Sequence, residues 1–95
     1  GNLTINLENY VVEIENNPVR LTKKEIEILW TLAANTNKVF SRDSLLDKLW
    51  GFDFYGDSRT VDSHIKRLRA KLDEFPHKGW EIETIWGVGY KFSVK

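Results

Sequence analysis

The segment from Ser58 to Leu72 has one apolar side and one basic side. Its apolar residues recur every three or four positions, the spacing that places side chains on one face of a helix: Val61, Ile65, Leu68 and Leu72. The segment also carries five basic residues and one acid, a net charge of +4. If the apolar side lies in a core, the basic side faces solvent. Such a helix fits the major groove of DNA.

The rest of the chain is weakly acidic, with a net charge of −3 over residues 1–57 and −1 over residues 73–95, so the whole protein is neutral. A neutral protein gains little long-range attraction to phosphate. Nucleic-acid binding would therefore depend on the local field of residues 58–72. The alternative interpretation is a solvated helix face, which is the better one for a charged helix taken alone. The flanking elements must decide between the two.

Length and composition indicate one domain with a single core, in which four Trp, five Phe and three Tyr supply the bulk. The absence of Cys excludes disulfides and thiolate zinc sites. No apolar run reaches membrane-spanning length and no export signal is visible, so we expect a soluble, cytoplasmic protein. The chain begins with Gly-Asn and contains no Met, which suggests a fragment of a longer protein.

The elements before the basic segment begin with strands. Alternating apolar residues over the first twenty positions predict short antiparallel strands. Thr22 and Glu25 have the spacing of a capping box, flanked by Leu21 and Ile26 as a hydrophobic staple. The helix that follows is predicted to be the central helix of the core, because apolar residues cover it broadly: Ile26, Leu29, Trp30 and Ala33 on one side, Ile28 and Leu32 on another.

A second helix is predicted from an N-cap at Ser41, with Asp43 in its first turn, to Trp50. After the basic helix, residues 80–94 read as two alternating strands about a turn at residues 87–89. A β-rich start, three helices and a terminal hairpin give an α+β fold class. The order predicts a winged helix-turn-helix, with an N-terminal antiparallel sheet, a three-helix core and a C-terminal hairpin wing.

The chain resembles the winged-helix output domain of OmpR/PhoB-type response regulators. The most specific motifs are Leu21-Thr22, Leu45-Leu46 to Trp50-Gly51, Arg59-Thr60-Val61-Asp62 through Leu68-Arg69, and Gly87-Val88-Gly89-Tyr90. The resemblance implies that residues 1–95 are a transcription-regulating, DNA-binding effector domain with a four-stranded N-terminal sheet. It also implies an absent receiver domain, phosphorylated on Asp by a cognate histidine kinase. Members of the family often bind DNA as dimers on direct repeats.

The resemblance assigns recognition of double-stranded DNA to helix 58–74, at Arg59, Thr60, Ser63, His64, Lys66, Arg67 and Arg69. Arg67, beside short Thr60 and Ser63, is the best candidate for a bidentate contact to guanine, since a planar fork matches both acceptors. Lys66 and Arg59 are interpreted as phosphate contacts.

Two of these positions keep alternative interpretations. Arg69 is expected near Asp62 and Asp73, where an intramolecular ion pair competes with a DNA contact. His64 is either solvated or bonded to phosphate, and the sequence offers no partners that would make it a metal ligand.

The wing of residues 80–94 is implied to reach the minor groove. Its tip departs from the family, because Trp86 stands where the family often has Arg. Indole carries one donor and no charge, so it cannot use the negative potential of a narrow minor groove. Trp86 either packs against sugar, or packs inward and leaves Thr84 and Lys91 as the wing's DNA contacts.

The loop after the second helix corresponds to the family's transactivation loop, which touches RNA polymerase in activators. Its candidate contact residues are Gly51, Phe52, Asp53, Phe54 and Tyr55. The alternative interpretation is that Trp50 and one or two of these aromatics fill the core beneath the loop.

An enzyme is not expected, because the two His have no paired nucleophile and no carboxylate cluster has metal-ligand spacing. Gly87-Val88-Gly89 lacks the third glycine and the following helix of a phosphate cradle, so no cofactor is expected. The serious alternative is a winged helix used for protein interaction only. That function predicts a neutral or apolar third-helix face, and the basic face favours DNA.

Overall fold

A computed structural model describes residues 2–51 and 56–95. Its elements are, in order, β1 (Leu3–Asn6), β2 (Val11–Ile14), β3 (Asn17–Pro18), α1 (Lys23–Ala33), β4 (Phe40–Ser41), α2 (Arg42–Trp50), α3 (Arg59–Leu72), β5 (Trp80–Ile85) and β6 (Gly89–Val94). This order confirms the predicted winged helix-turn-helix. The third helix ends at Leu72, two residues before the predicted boundary.

The N-terminal sheet is antiparallel in the order β1-β2-β3. Glu15 and Asn16 both have positive φ, which suits the tight turn between β2 and β3. Over the described part of the chain this sheet has three strands, so the four strands implied by the resemblance are wrong here. Val19 still donates a hydrogen bond to Val12, but three residues later the chain reaches the Thr22 cap of α1 and leaves the sheet.

Helix α1 begins with the predicted capping box. The Thr22 hydroxyl accepts from the Glu25 amide at 3.2 Å, and the Glu25 carboxylate accepts from the Thr22 amide at 2.8 Å. Trp30 was predicted in the core and is 42% exposed, so that assignment is wrong. It lies about 40° beyond Ile26 around the helix axis, at the edge of the buried face.

Helix α2 follows its predicted N-cap, and α3 begins at Arg59, one residue after its predicted start. The Ser41 hydroxyl accepts from the Ser44 amide at 3.0 Å, which confirms the N-cap of α2. The four apolar residues that define the stripe of α3 are buried to 2% exposure or less: Val61, Ile65, Leu68 and Leu72. The side of α3 opposite this stripe, which includes Ser63, Lys66 and Arg67, therefore faces away from the core.

The C-terminal sheet has the order β4-β6-β5, with β5 and β6 forming the wing. The two-residue β4 was not predicted, and it pairs with β6 through Phe40 with Tyr90 and Ser41 with Gly89. A Cβ on Gly89 would lie 1.9 Å from the Phe40 carbonyl oxygen, so this close approach requires glycine. Gly89 thus belongs to β6, and the turn comprises residues 86–88 instead of the predicted 87–89.

None of the helices in the described ranges has both the length and the apolar composition to cross a bilayer.

Candidate nucleic-acid interface

The outward face of α3 carries two cations that have no partner among the described residues. Lys66 and Arg67 are exposed, as is the short Ser63 between the apolar positions. Within residues 2–51 and 56–95, neither cation forms a hydrogen bond or an ion pair. Their charge is therefore available to an external anion, and Ser63 leaves room for a ligand to approach the helix backbone.

Arg59 is exposed at the start of α3 but is already paired. Its guanidinium donates to the Asp57 carboxylate at 2.8 and 3.1 Å, and its backbone amide donates to the other oxygen of Asp57 at 2.9 Å. Hydrogen bonds from the Arg59 side chain and amide lower the pKa of Asp57 below its ordinary value. The side chains are 83% and 57% exposed, so water and salt weaken the pair. A phosphate would have to compete with Asp57 for Arg59.

Lys71, one of the five basic residues of the segment, pairs with a buried carboxylate on α1. Its ammonium lies 2.7 Å from the Glu25 carboxylate, and the Glu25 side chain is 1% exposed. Burial by itself raises the pKa of Glu25, but hydrogen bonds from Lys71 and the Thr22 amide outweigh burial and hold the pKa below its ordinary value. Lys71 therefore neutralises a carboxylate between α1 and α3, and it adds little charge to the outward face.

Arg69 links α3 to the wing. Its Nε donates to the Ile82 carbonyl at 3.1 Å and its Nη2 to the Thr84 hydroxyl at 2.6 Å. The guanidinium also lies 5.4 Å from the centre of the Tyr90 ring. An ion pair with Asp62 or Asp73 was one of the two alternatives for Arg69, and it is wrong. Periodicity along one helix could not show that a strand of the wing supplies closer acceptors.

Asp62 joins three elements. Arg42, at the start of α2, donates to both oxygens of Asp62 at 3.0 and 2.6 Å. The Tyr90 hydroxyl on β6 donates to Asp62 at 2.6 Å. Burial and this hydrogen bond raise the pKa of Tyr90 to about 12. Sequence reasoning missed Arg42 and Tyr90 as parts of the site, although a lone acid in a basic helix was a signal that Asp62 had a partner.

His64 packs beside the end of α2. Its Nδ1 is 2.8 Å from the Thr60 carbonyl, and because a carbonyl only accepts, Nδ1 carries the proton. Its ring meets Trp50 edge to face at 5.1 Å. Trp50 is half-buried against the core, which confirms its predicted packing role. No group of three potential metal ligands occurs in the described ranges.

The wing presents Trp86 outward. The indole is 89% exposed, so the alternative in which Trp86 packs inward is wrong. Of the other wing candidates, Thr84 accepts the hydrogen bond from Arg69, and the Lys91 ammonium lies 3.8 Å from Glu83. A cleft of about 340 Å³ separates the wing from the first turns of α2 and α3, and its lining includes Ser58, Asp62 and Trp86.

The loop after α2 is described only at its ends. Gly51 caps α2 with a positive φ of 91°, and its amide donates to the Asp47 carbonyl at 3.0 Å. The other four residues predicted to contact a partner lie outside the described residues: Phe52, Asp53, Phe54 and Tyr55.

A helix-turn-helix packed on the core, a basic outward face on its second helix and an adjacent hairpin define a winged-helix nucleic-acid-binding domain. Residues 16–92 match the family model described as "Transcriptional regulatory protein, C terminal". The chain therefore belongs to the family of OmpR/PhoB-type response-regulator DNA-binding domains, as the sequence motifs indicated.

Individual relatives agree with this assignment. The chain is 50% identical over 94 residues to the transcriptional regulatory protein SrrA of Staphylococcus aureus, covering 98% of this chain and 39% of SrrA. The Thermotoga maritima response regulator DrrB, an OmpR/PhoB homologue, is 40% identical with a TM-score of 0.83, over 98% of this chain and 42% of DrrB.

A relative bound to DNA has the same fold. The DNA-binding domain of Klebsiella pneumoniae RstA, solved in complex with the RstA box, is 35% identical with a TM-score of 0.82, covering 98% of this chain and 92% of that chain. The chain spans about two fifths of the length of SrrA.

Proposed function

We propose that this chain binds double-stranded DNA sequence-specifically and controls transcription as the output domain of a two-component response regulator. Helix α3 enters the major groove and the wing lies against the adjacent minor groove. The observation that carries the proposal is the pairing state of the basic side chains on α3. Lys66 and Arg67 are exposed around the short Ser63 and have no partner among residues 2–51 and 56–95, while the apolar stripe on the opposite face of α3 is buried.

The side chains of α3 take different roles in this arrangement. Arg67 has the planar donors needed for guanine O6 and N7, and Thr60 and Ser63 are short enough to let it approach the base edge. Lys66 supplies a point charge for phosphate. His64 has Nδ1 committed to Thr60, so only its Nε2 side can face DNA.

The remaining candidates depend on contacts that they already make. To bind phosphate, Arg59 would give up its ion pair with Asp57. Lys91 would give up its longer ion pair with Glu83. Arg69 donates a hydrogen bond to Thr84, so we propose that these two residues position the wing relative to α3. Trp86 is then the exposed wing residue that would contact DNA.

The whole regulator would have further partners. We propose a receiver domain phosphorylated by a histidine kinase, dimers on DNA, and contact with RNA polymerase through residues 51–55, all acting in the cytoplasm. The length of SrrA, of which this chain spans 39%, supports a longer regulator. The proposed role is binding and not catalysis.

Winged helices that bind only proteins are the alternative. The pattern on α3 argues against it, because exposed cations around a short polar residue suit phosphate and base edges better than an apolar protein surface.

Selection of bound sites from random duplexes, followed by titration over a salt series, tests the proposal. We expect enrichment of a defined sequence, with log K falling by about 0.9 per phosphate contact for each unit of log salt. Lys66→Ala should weaken binding, whereas the charge-matched control Arg20→Ala, an exposed cation outside α3 and the wing, should not. A flat salt response, or no preference for duplex DNA over an acidic polymer, would contradict the proposal.

A further inference from the structure

The wing tip is apolar and uncharged although it adjoins a basic helix. Trp86 is 89% exposed and Val88 is 50% exposed, on either side of Gly87. We infer that Trp86 and Val88 contact the sugar edges and base step of a deformable minor groove, so that the wing selects DNA by shape and not by charge. This inference rests on the proposed function, since it requires a duplex on α3.

The hairpin presents these side chains on a firm base. The Val88 amide donates to the Ile85 carbonyl at 2.9 Å, and Gly87 takes the positive φ of 79° that the turn requires. Below the tip, Gly89 packs against the backbone of Phe40 and pairs with Ser41. The tip is thus fixed relative to the start of α2, and Trp86 keeps its outward position at the cost of exposing a large apolar ring.

Charge argues against an electrostatic contact at the tip. Residues 85–88 carry no ionisable side chain, and the nearest cation on the hairpin, Lys91, lies 3.8 Å from Glu83. A narrow minor groove attracts cations through its enhanced negative potential. The tip contains no cationic side chain that could use this potential. Apolar side chains instead contact sugars or wedge between base pairs where a step unstacks easily.

The position of the tip favours DNA over a protein as its occupant. Trp86 and Val88 line the same cleft as Ser58 and Asp62 at the start of α3. A duplex that follows the outward face of α3 would therefore meet the tip without a separate docking surface. The contact would involve no counterion release, so its contribution to binding should be independent of salt.

The test compares wing variants on a selected site whose wing-facing step is changed among TA, CA, AA and GG. On the TA site, Trp86→Ala should weaken binding roughly tenfold or more, with an unchanged salt slope. Trp86→Phe should retain most of the affinity. Trp86→Arg should shift the preference toward A-tracts and steepen the salt slope by about 0.9. Trp30→Ala, at a partly exposed tryptophan of α1, is the matched control and should bind normally.

Several outcomes would overturn the inference. If Trp86→Ala keeps the affinity and step preference while Lys66→Ala still weakens binding, the inference fails and the proposed function stands. If Trp86→Ala lowers only cooperativity between adjacent sites, or only transcription with RNA polymerase, the tip contacts protein and the inference is also wrong. Absence of duplex binding by the unmodified chain would instead remove the proposed function itself.

Discussion

The hydroxyl of Tyr90 on the wing donates a 2.6 Å hydrogen bond to the carboxylate of Asp62 on α3. This bond joins the two elements that would occupy neighbouring grooves of DNA. Arg42 holds the same carboxylate from α2 with two further hydrogen bonds. One carboxylate on α3 therefore ties the first turn of that helix to both α2 and the wing.

Tyr90→Phe tests this junction. The variant removes the hydroxyl and leaves Asp62 paired with Arg42, so we expect a loss of about 1–2 kcal/mol in the free energy of unfolding. The free energy of DNA binding should fall by more than the free energy of unfolding. The preference for one spacing between the major-groove and minor-groove parts of the site should also relax. Denaturant unfolding and titration with sites lengthened by one base pair measure both effects.

Tyr10→Phe is the control for this variant, because Tyr10 is 39% exposed and lies in the N-terminal segment. Unchanged stability and an unchanged spacing preference in Tyr90→Phe would show that the junction does not position the wing.

Asp57→Asn should increase DNA affinity severalfold at low salt. The change releases Arg59 from its exposed ion pair and removes a negative charge at the start of α3. The gain should shrink as salt rises, because the interaction of exposed charges is screened. Titration at several salt concentrations measures it, with Asp47→Asn on α2 as the control for charge alone. Equal or weaker binding by Asp57→Asn would mean that the pair does not compete with DNA.

Arg67→Ala and Lys66→Ala should differ in kind. Loss of Arg67 should cost about 1–3 kcal/mol on the selected site and relax the preference at one base pair. Loss of Lys66 should weaken all sequences similarly and lower the salt slope by about one contact. Affinities for matched and single-mismatch sites over a salt series separate the two. If Arg67→Ala weakens every site equally, Arg67 contacts phosphate and not a base.

Glu25 should make stability depend on acid pH. Its pKa is lower in the folded protein than its ordinary value of 4.5. The stabilising contribution is therefore fully present above the unfolded-state pKa and is lost as pH falls through the folded-state pKa. Urea unfolding between pH 7 and pH 3 should show a steeper loss for the unmodified protein than for Glu25→Gln. Parallel curves for the two proteins would exclude a linkage through this carboxylate.

The helices and the wing hairpin could be predicted from sequence because their signals are local. The capping box at Thr22 and the N-cap at Ser41 lie within one helical turn of the amides that they bind. The apolar stripe of α3 repeats at helical spacing and proved to be buried throughout. The prediction for Trp30 was wrong because this residue lies at the edge of such a face, where packing by other elements decides how far a side chain is exposed.

The pairing of the basic residues could not be predicted in the same way. Lys71 meets Glu25 across 46 positions of sequence, and Arg69 meets Thr84 across 15. Such contacts depend on how α1, α3 and the wing are placed in space. Counting the charges along one segment gives no information about that placement. The outward face of α3 consequently has fewer available cations than the net charge of +4 over residues 58–72 indicates.

Guanine N7-methylation interference on the selected site is the most direct test that α3 reads the major groove. N7 is exposed in that groove, and it is the acceptor that Arg67 would share with O6. We predict that methylation of one guanine per site blocks binding of the unmodified chain, that Lys66→Ala retains this interference, and that Arg67→Ala loses it at that guanine alone. If no methylated guanine in a guanine-containing site interferes with binding, Arg67 does not read guanine and α3 does not bind the major groove as proposed.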